Sequence, residues 1–306
     1  MRNKLLFVLL LPFFSISQSY EKITVGAGPE DFVLDTFQGN ERLIISCDER
    51  RDKDSIVQGD IWTLDIKSKQ TKVLPRINDR TTSFNPHGVH LLNENNANYL
   101  FVVNHYDKYK KNEIIRYVLK GDTLYYDTSF KYSSKINAVC AVSKNRFYIT
   151  NDKVLNGKLV EYANAKFHTL AKGIHFPNGV NIKDDYLYYT TTLSGKVKKA
   201  KIIGVGKIEK SQKIAKIKGA DNIRFYKNDL ITTSHPKFRK FLKHLKNKDN
   251  PSPCDVYSID LNTFNKKKLY SSSGVPISAV STAILYNKQL YLAQVFEPFI
   301  LAVDLE

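Results

Sequence analysis

Only three cysteines, Cys47, Cys140 and Cys254, occur among 306 residues, and an odd number leaves at least one thiol unpaired in an oxidising compartment. Cys47 and Cys140 lie inside apolar strand patterns, which makes them small core residues rather than halves of a disulfide. No activating base stands at a nucleophile's spacing from any of the three. Paired Cys and His motifs at close spacing are absent, so zinc is a poor candidate. There is no Gly-x-Ser-x-Gly elbow to support a Ser-His-Asp triad. Helical periodicity is nearly absent. No recognition helix or aromatic nucleic-acid motif accompanies the net charge of +17.

What is present begins with a leader. Arg2 and Lys4 precede an unbroken apolar run from Leu5 to Phe14, followed by Ser15, Ser17 and Ser19. The run is shorter than the roughly 20 residues of a membrane span. It reads as a secretory signal over residues 1–19, cleaved near Ser17 or Ser19, with an uncleaved anchor as the alternative. A secreted or periplasmic location follows. Residues 20–306 then form one domain, and 42% hydrophobic content suffices for its core. The lysines are dispersed, in Lys110-Lys111 as much as in Lys198-Lys199 and Lys266-Lys267-Lys268. This predicts a solvated basic surface, with attachment to an anionic membrane or cell envelope as a secondary reading and no nucleic-acid partner.

Six polar clusters each stand before a short apolar strand: Pro29-Glu30-Asp31, Pro86-His87-Gly88, Ile136-Asn137-Ala138, Pro177-Asn178-Gly179, Ala220-Asp221-Asn222 and Ile277-Ser278-Ala279. Their spacings of 41 to 57 residues match the roughly 40 to 50 residues of a four-stranded propeller blade. A second strand recurs in each unit, as in Arg42-Leu-Ile-Ile-Ser46 and Arg146-Phe-Tyr-Ile-Thr150. A third, more alternating strand follows, as in Asp60-Ile-Trp-Thr-Leu-Asp65. The predicted fold is all-β, a six-bladed β-propeller of antiparallel blades. The last unit lacks a fourth strand after Phe299 to Leu305, and Lys22-Ile-Thr-Val-Gly26 is expected to supply it and close the ring.

One segment departs from this pattern. From Pro236 to Asn247, Phe238, Phe241, Leu242 and Leu245 recur at helical spacing, predicting a short basic amphipathic helix near residues 237–248. It reads as a cap over the propeller end, a lid over an apolar pocket, or a membrane-surface contact.

First strands line a propeller's channel, so Glu30, Asn178, Asp221 and Asn222, joined by Asn151 from the end of a second strand, are expected to aim oxygens at one point. Five oxygen donors carrying two negative charges suit calcium. Asp31, Asp152 and a main-chain carbonyl are expected to hold a second cation, because neighbouring side chains of a strand point to opposite sides. His87 begins a first strand and His105 ends the strand beside it, so the two imidazoles are expected together, one orienting the other to take a proton from water. His235 ends the equivalent strand of the fifth unit and is a candidate donor in the pocket wall.

The elements Gly28-Pro-Glu-Asp31, Phe84-Asn-Pro-His-Gly-Val89, Val103-Asn-His105, Thr150-Asn-Asp152, Phe176-Pro-Asn-Gly-Val-Asn-Ile182, Asp221-Asn-Ile223 and Ser234-His-Pro236 together resemble the paraoxonase/arylesterase family. The resemblance implies a six-bladed propeller with two calcium ions that hydrolyses lactones and aryl esters. It makes Glu30, Asn151, Asn178, Asp221 and Asn222 ligands of a catalytic calcium. Asp31, Asp152 and the carbonyl of Val89 become ligands of a structural one, with His87 as proton acceptor, His105 assisting and His235 in the site wall. Departures are Ser234 where many members have Cys, the basic helix after His235, and the absence of the terminal disulfide of animal members.

The leading expectation is therefore an exported calcium-dependent arylesterase or lactonase acting on a small lactone or ester. Two alternatives stand beside it: a gluconolactonase-like sugar lactonase, and a non-catalytic calcium-stabilised propeller that binds a ligand or surface partner.

Overall fold

The computed structural model describes residues 18–52, 58–81, 83–106 and 111–305. The leader residues 1–17 and Lys110 lie outside the described residues. Six antiparallel sheets of four principal strands form the blades of a β-propeller. The first strands are Pro29–Asp35, Pro86–Glu94, Val139–Ser143, Pro177–Lys183, Ala220–Tyr226 and Val280–Tyr286 for blades 1 to 6. The second strands are Arg42–Cys47, Ala97–Tyr106, Arg146–Asn151, Tyr186–Thr191, Asp229–Ser234 and Gln289–Gln294.

Burial follows position in the blade. The second strand of blade 1 is buried along its whole length, whereas the outer strand of blade 5, Lys266–Ser272, carries its three lysines in solvent. A lysine-rich outer strand is a poor template for pairing with another sheet, which accounts for part of the large positive charge. Apolar cores fill the spaces between neighbouring blades. Val33, Ile44 and Ile61 of blade 1 pack with Val89, Leu100 and Ile115 of blade 2. On the other side Phe32, Leu43 and Ile45 meet Tyr291 and Ile300 of blade 6.

The ring closes as the sequence predicts, with the pairing strand at Tyr20–Thr24. This strand lies antiparallel to Phe299–Asp304, from Tyr20 opposite Val303 to Thr24 opposite Phe299. Ile23 is its buried residue and enters the core shared by blades 1 and 6. All three cysteines are buried and unpaired. Burial pushes the Cys140 and Cys254 thiols up to about 12, so none has the thiolate character of a nucleophile.

First strands crowd together at the axis. A Cβ on Gly88 would meet the Asn137 carbonyl oxygen at 2.6 Å, and one on Gly179 would meet Asn222 Cα at 2.8 Å. Only glycine allows backbones of adjacent blades to approach this closely. Among the described residues the single α-helix spans Phe238–Lys246, inside the predicted segment. Its buried residue is His244, while Leu242 faces solvent.

If strand closure holds the ring, Ile23→Ala loses about 2–5 kcal/mol of stability by the cavity it opens. Urea titration followed by tryptophan fluorescence measures this, and a loss no larger than that of an exposed control such as Leu242→Ala contradicts the role.

Candidate metal centre

Five of the six first strands enter the sheet through an irregularity in pairing. Register shifts fall between Pro29 and Asp31, Pro86 and Val89, Pro177 and Val180, Ala220 and Ile223, and Val280 and Thr282. Such bulges re-aim side chains at functional ends of sheets. Equivalent register puts one residue per blade on an inner ring: Glu30, His87, Asn137, Asn178, Asp221 and Ser281. The sixth position corrects the sequence-based reading, which centred that cluster on Ser278. Pairing of Val280 with Gln294 and of Thr282 with Ala293 sets Ser281 in phase with Glu30. Ser278 precedes the strand, where its hydroxyl donates to the Gly274 carbonyl at 2.9 Å and accepts from Ser252 N at 3.0 Å.

The inner ring is held from behind by hydroxyls. Ser46 Oγ donates to the His87 carbonyl at 2.5 Å, Thr190 Oγ1 to the Asp221 carbonyl at 2.7 Å, and Thr233 Oγ1 to the Ser281 carbonyl at 2.5 Å. Thr150 Oγ1 donates in the same way to the Asn178 carbonyl, and the Ser281 hydroxyl to the Glu30 carbonyl at 2.5 Å. The first four donors occupy the fifth position of their second strands. Ser or Thr stands there in four of the six repeats, a signal the sequence analysis passed over. Each of these four bonds ties one blade's second strand to the next blade's first, while the Ser281 bond joins the first strands of blades 6 and 1.

Side-chain oxygens then face the axis with nothing to accept from. Glu30 Oε2, Asn151 Oδ1, Asn178 Oδ1 and Asp221 Oδ1 are buried and have no hydrogen-bond partner among the described residues. The Asn151 amide nitrogen is committed elsewhere, donating to Ser134 Oγ at 2.9 Å and to the Lys135 carbonyl, which turns its oxygen away from those acceptors. Asn222 is placed differently: its Nδ2 donates to Glu30 Oε1 at 3.2 Å and to Thr282 Oγ1 at 2.9 Å. Burial first, then the Asp31 carboxylate, pushes the Glu30 carboxyl up to about 8. A buried acceptor without a donor costs about 1–3 kcal/mol, and several together make an acceptor-only cradle. Two carboxylates with amide oxygens suit a hard cation such as calcium. Among the described residues no group of three or more His, Cys, Asp or Glu side chains is arranged to hold a metal; the unpartnered oxygens named above are carboxylate and amide oxygens, whereas zinc favours Cys and His.

The residues expected to hold a second ion do not fit one. Asp31 Oδ1 accepts from Arg224 Nη2 at 2.5 Å, from Thr282 Oγ1 at 2.8 Å and from Phe32 N at 3.0 Å. Its Oδ2 accepts from Val89 N at 2.9 Å, and the Val89 carbonyl lies 3.4 Å from the same Arg224 nitrogen. Asp152 is paired with Lys135 Nζ at 3.0 Å, with its Oδ1 left unpartnered among the described residues.

His87 and His105 come together as expected, but through an edge-on ring contact with centroids 4.9 Å apart. His105 Nδ1 donates to Asn112 Oδ1 at 2.6 Å, which fixes its tautomer and leaves the basic lone pair on Nε2. His87 Nε2 accepts from Asn137 Nδ2 at 3.3 Å and stands 3.8 Å from Glu30 Oε1, so its basic nitrogen faces the carboxylate cluster. Burial, and next His105, hold the His87 imidazole well below its ordinary value. Burial lowers His105 to about 3 against the Asn112 hydrogen bond. Both rings are neutral near pH 7.

His235 does not line an open wall. It is buried, donates from Nε2 to Asp221 Oδ2 at 2.8 Å, and is roofed by Phe241 of the helix with ring centroids 4.4 Å apart. The helix is clamped in turn by Arg51, which donates to the His244 carbonyl at 3.3 Å and to Glu297 Oε1 at 2.9 Å and lies 4.6 Å from the Phe296 ring. His244 packs on Phe296 and bonds the Asn250 carbonyl from Nδ1 at 2.9 Å. These contacts pack the helix against His235 and Phe296, beside the centre.

An arylesterase family model matches residues 54–301. The chain belongs to the arylesterase family. The match begins after Glu30 and Asp31, whose place in the centre therefore rests on the register of blade 1. The chain is similar to serum paraoxonase/arylesterase 2 of Gallus gallus, 24% identical over 78% of this chain and 75% of that one. It is likewise similar to serum paraoxonase/arylesterase 1 of Homo sapiens, 25% identical over 70% and 67%, and to human serum paraoxonase/lactonase 3, 22% identical over the same shares. Among solved structures, a luciferin-regenerating enzyme superposes with a TM-score of 0.62 at 10% identity, over 94% of this chain and 95% of that one. A virginiamycin B lyase from Staphylococcus aureus superposes at 0.53 and 11% identity, over 95% and 100%. At these identities the structures bear on the fold alone.

Thr190 Oγ1 both donates to the Asp221 carbonyl and accepts from Gly179 N at 2.9 Å. Thr190→Val keeps the shape and strands both groups, so it is expected to cost about 1–3 kcal/mol in chemical denaturation. An unchanged midpoint contradicts the bracing role of the hydroxyl.

Proposed function

We propose that this arylesterase-family chain is an exported, calcium-dependent hydrolase of lactones and aryl esters. The observation that carries this reading is the buried axial group of unpartnered oxygens on Glu30, Asn151, Asn178 and Asp221, with the basic nitrogen of His87 turned toward it. The family's paraoxonase, arylesterase and lactonase relatives supply the substrate class.

Glu30, Asn151, Asn178 and Asp221 would hold the ion, with Asn222 joining once its amide releases Glu30. Bound calcium supplies a Lewis acid for the substrate carbonyl and neutralises the developing oxyanion. His87 Nε2 takes a proton from water as the water oxygen bonds to the carbonyl carbon. The bond from that carbon to the leaving oxygen then breaks, opening a lactone or releasing an alcohol or phenol, and the proton passes from His87 to that oxygen. His105, fixed by Asn112, packs against the His87 ring and sets its orientation. His235 holds one oxygen of Asp221 and thereby aims the other. The Phe241 ring over His235 and the Phe296 ring beside Phe241 make the cap next to the centre apolar, which would favour aliphatic and aryl substrates over sugar lactones.

Export rests on the leader at residues 1–19. Ser19 Oγ donates to Asp304 Oδ2 at 2.5 Å, so cleavage after Ser17 leaves this bond of the closing strand intact.

The test is hydrolysis of a panel of aliphatic lactones, sugar lactones and phenyl acetate, with and without chelator. Chelation is expected to abolish turnover and calcium to restore it. His87→Gln is expected to lower kcat/KM by about 10²–10⁴-fold while calcium binding, read by calorimetry, persists. Calcium binding without turnover of any substrate would establish the non-catalytic propeller instead, and a preference for sugar lactones would contradict the apolar-site argument.

A further inference from the structure

We infer that the guanidinium of Arg224 is a built-in substitute for a second divalent ion, so that this propeller takes one calcium per chain. The inference rests on the metal-centre reading above and concerns the layer beside it. Asp31 and the Val89 carbonyl, two of the three groups the family resemblance assigns to a structural ion, share Arg224 Nη2 at 2.5 and 3.4 Å. The remaining donors are used as well: Nε to the Phe32 carbonyl at 2.9 Å and Nη1 to the Ile223 carbonyl at 2.7 Å. One side chain from blade 5 thus gathers a carboxylate and carbonyls from blades 1, 2 and 5, as a coordinated cation would.

The two layers differ in what they leave unmet. Glu30, Asn151, Asn178 and Asp221 each retain an oxygen with no partner among the described residues, whereas in the second layer both oxygens of Asp31 are met and Asp152 Oδ1 alone is left over. The Arg224 side chain is 12% exposed and that of Asp31 2%. A guanidinium is permanently charged and offers five donors in a fixed plane, which matches an acceptor-only surface without any dehydration of a metal ion. The third expected ligand, Asp152, also faces a side-chain cation, Lys135. Each carboxylate of the expected second site therefore has positive charge supplied by the chain itself. The consequence is that the axis stays assembled when calcium is removed, because the charge that joins blades 1, 2 and 5 is covalently attached.

The decisive experiment is calcium stoichiometry on chelator-stripped, full-length mature protein, by isothermal titration and by metal analysis after dialysis. One ion per chain is expected in the wild type, with the folded near-ultraviolet circular dichroism spectrum kept in chelator. Two ions overturn the inference and leave the proposed hydrolase intact; none overturns both. Arg224→Ser is expected to raise the count to two and to make the folded spectrum calcium-dependent, because it uncovers Asp31 and the Val89 carbonyl. If it folds and still binds one ion, the substitution account is overturned. Arg224→Lys, which keeps a cation there, is expected to bind one ion. Should the serine variant not fold in calcium, the lysine and wild-type counts decide, and two ions in either overturn the inference.

Discussion

Everything at the centre depends on one recurrent bond, the hydroxyl of one blade donating to the first-strand carbonyl of the next. Ser46, Thr150, Thr190 and Thr233 make it to His87, Asn178, Asp221 and Ser281. A carbonyl at a bulge has lost its regular sheet partner, and the hydroxyl restores it inside a core where an unmet acceptor is costly. With their backbones anchored, the side chains of this ring have little freedom except to face the axis. The same bond holds neighbouring blades in register, so packing between blades and geometry at the centre are one constraint.

The second consequence is electrostatic. Carboxylates and amides crowded into a dry channel need positive charge, and the structure meets this need in two ways. Around Asp31 the charge is permanent and supplied by Arg224. At Glu30 Oε2, Asn178 Oδ1 and Asp221 Oδ1 no hydrogen-bond donor arrives among the described residues, and the Glu30 carboxyl is pushed upward by burial. Arg50, which donates to the Pro86 carbonyl at 2.6 Å and opposes the upward push on Glu30, borders this layer without satisfying it. Exchangeable charge is thereby confined to the layer where His87 also presents its nitrogen.

Much of this was legible in the sequence because propeller blades repeat, and a repeat converts weak dipeptides into a register. The blade count, ring closure by the N-terminal strand and meeting of His87 with His105 all follow from spacing and alternation. Ser278 misled because Ile277-Ser278-Ala279 repeats the pattern of Ile136-Asn137-Ala138 just ahead of the strand, whereas pairing of Val280 with Gln294 sets the phase at Ser281, three residues farther on. The helix was visible in its apolar stripe, but which side it buries depended on polar partners, Asn250 and Glu297 for His244, that no periodicity records. Arg224 was hidden for a related reason. It stands among strand residues, and its partners Asp31, Phe32 and Val89 belong to blades that only the closed ring brings alongside.

The most direct test of the axial cation cradle is an anomalous difference map from crystals in which terbium replaces calcium. The account predicts a peak on the propeller axis at roughly the 2.3–2.6 Å that oxygen ligands of calcium adopt, measured to the side-chain oxygens of Glu30, Asn178 and Asp221. An axis without a peak, or a peak lodged instead between Asp31 and the Val89 carbonyl, would contradict it.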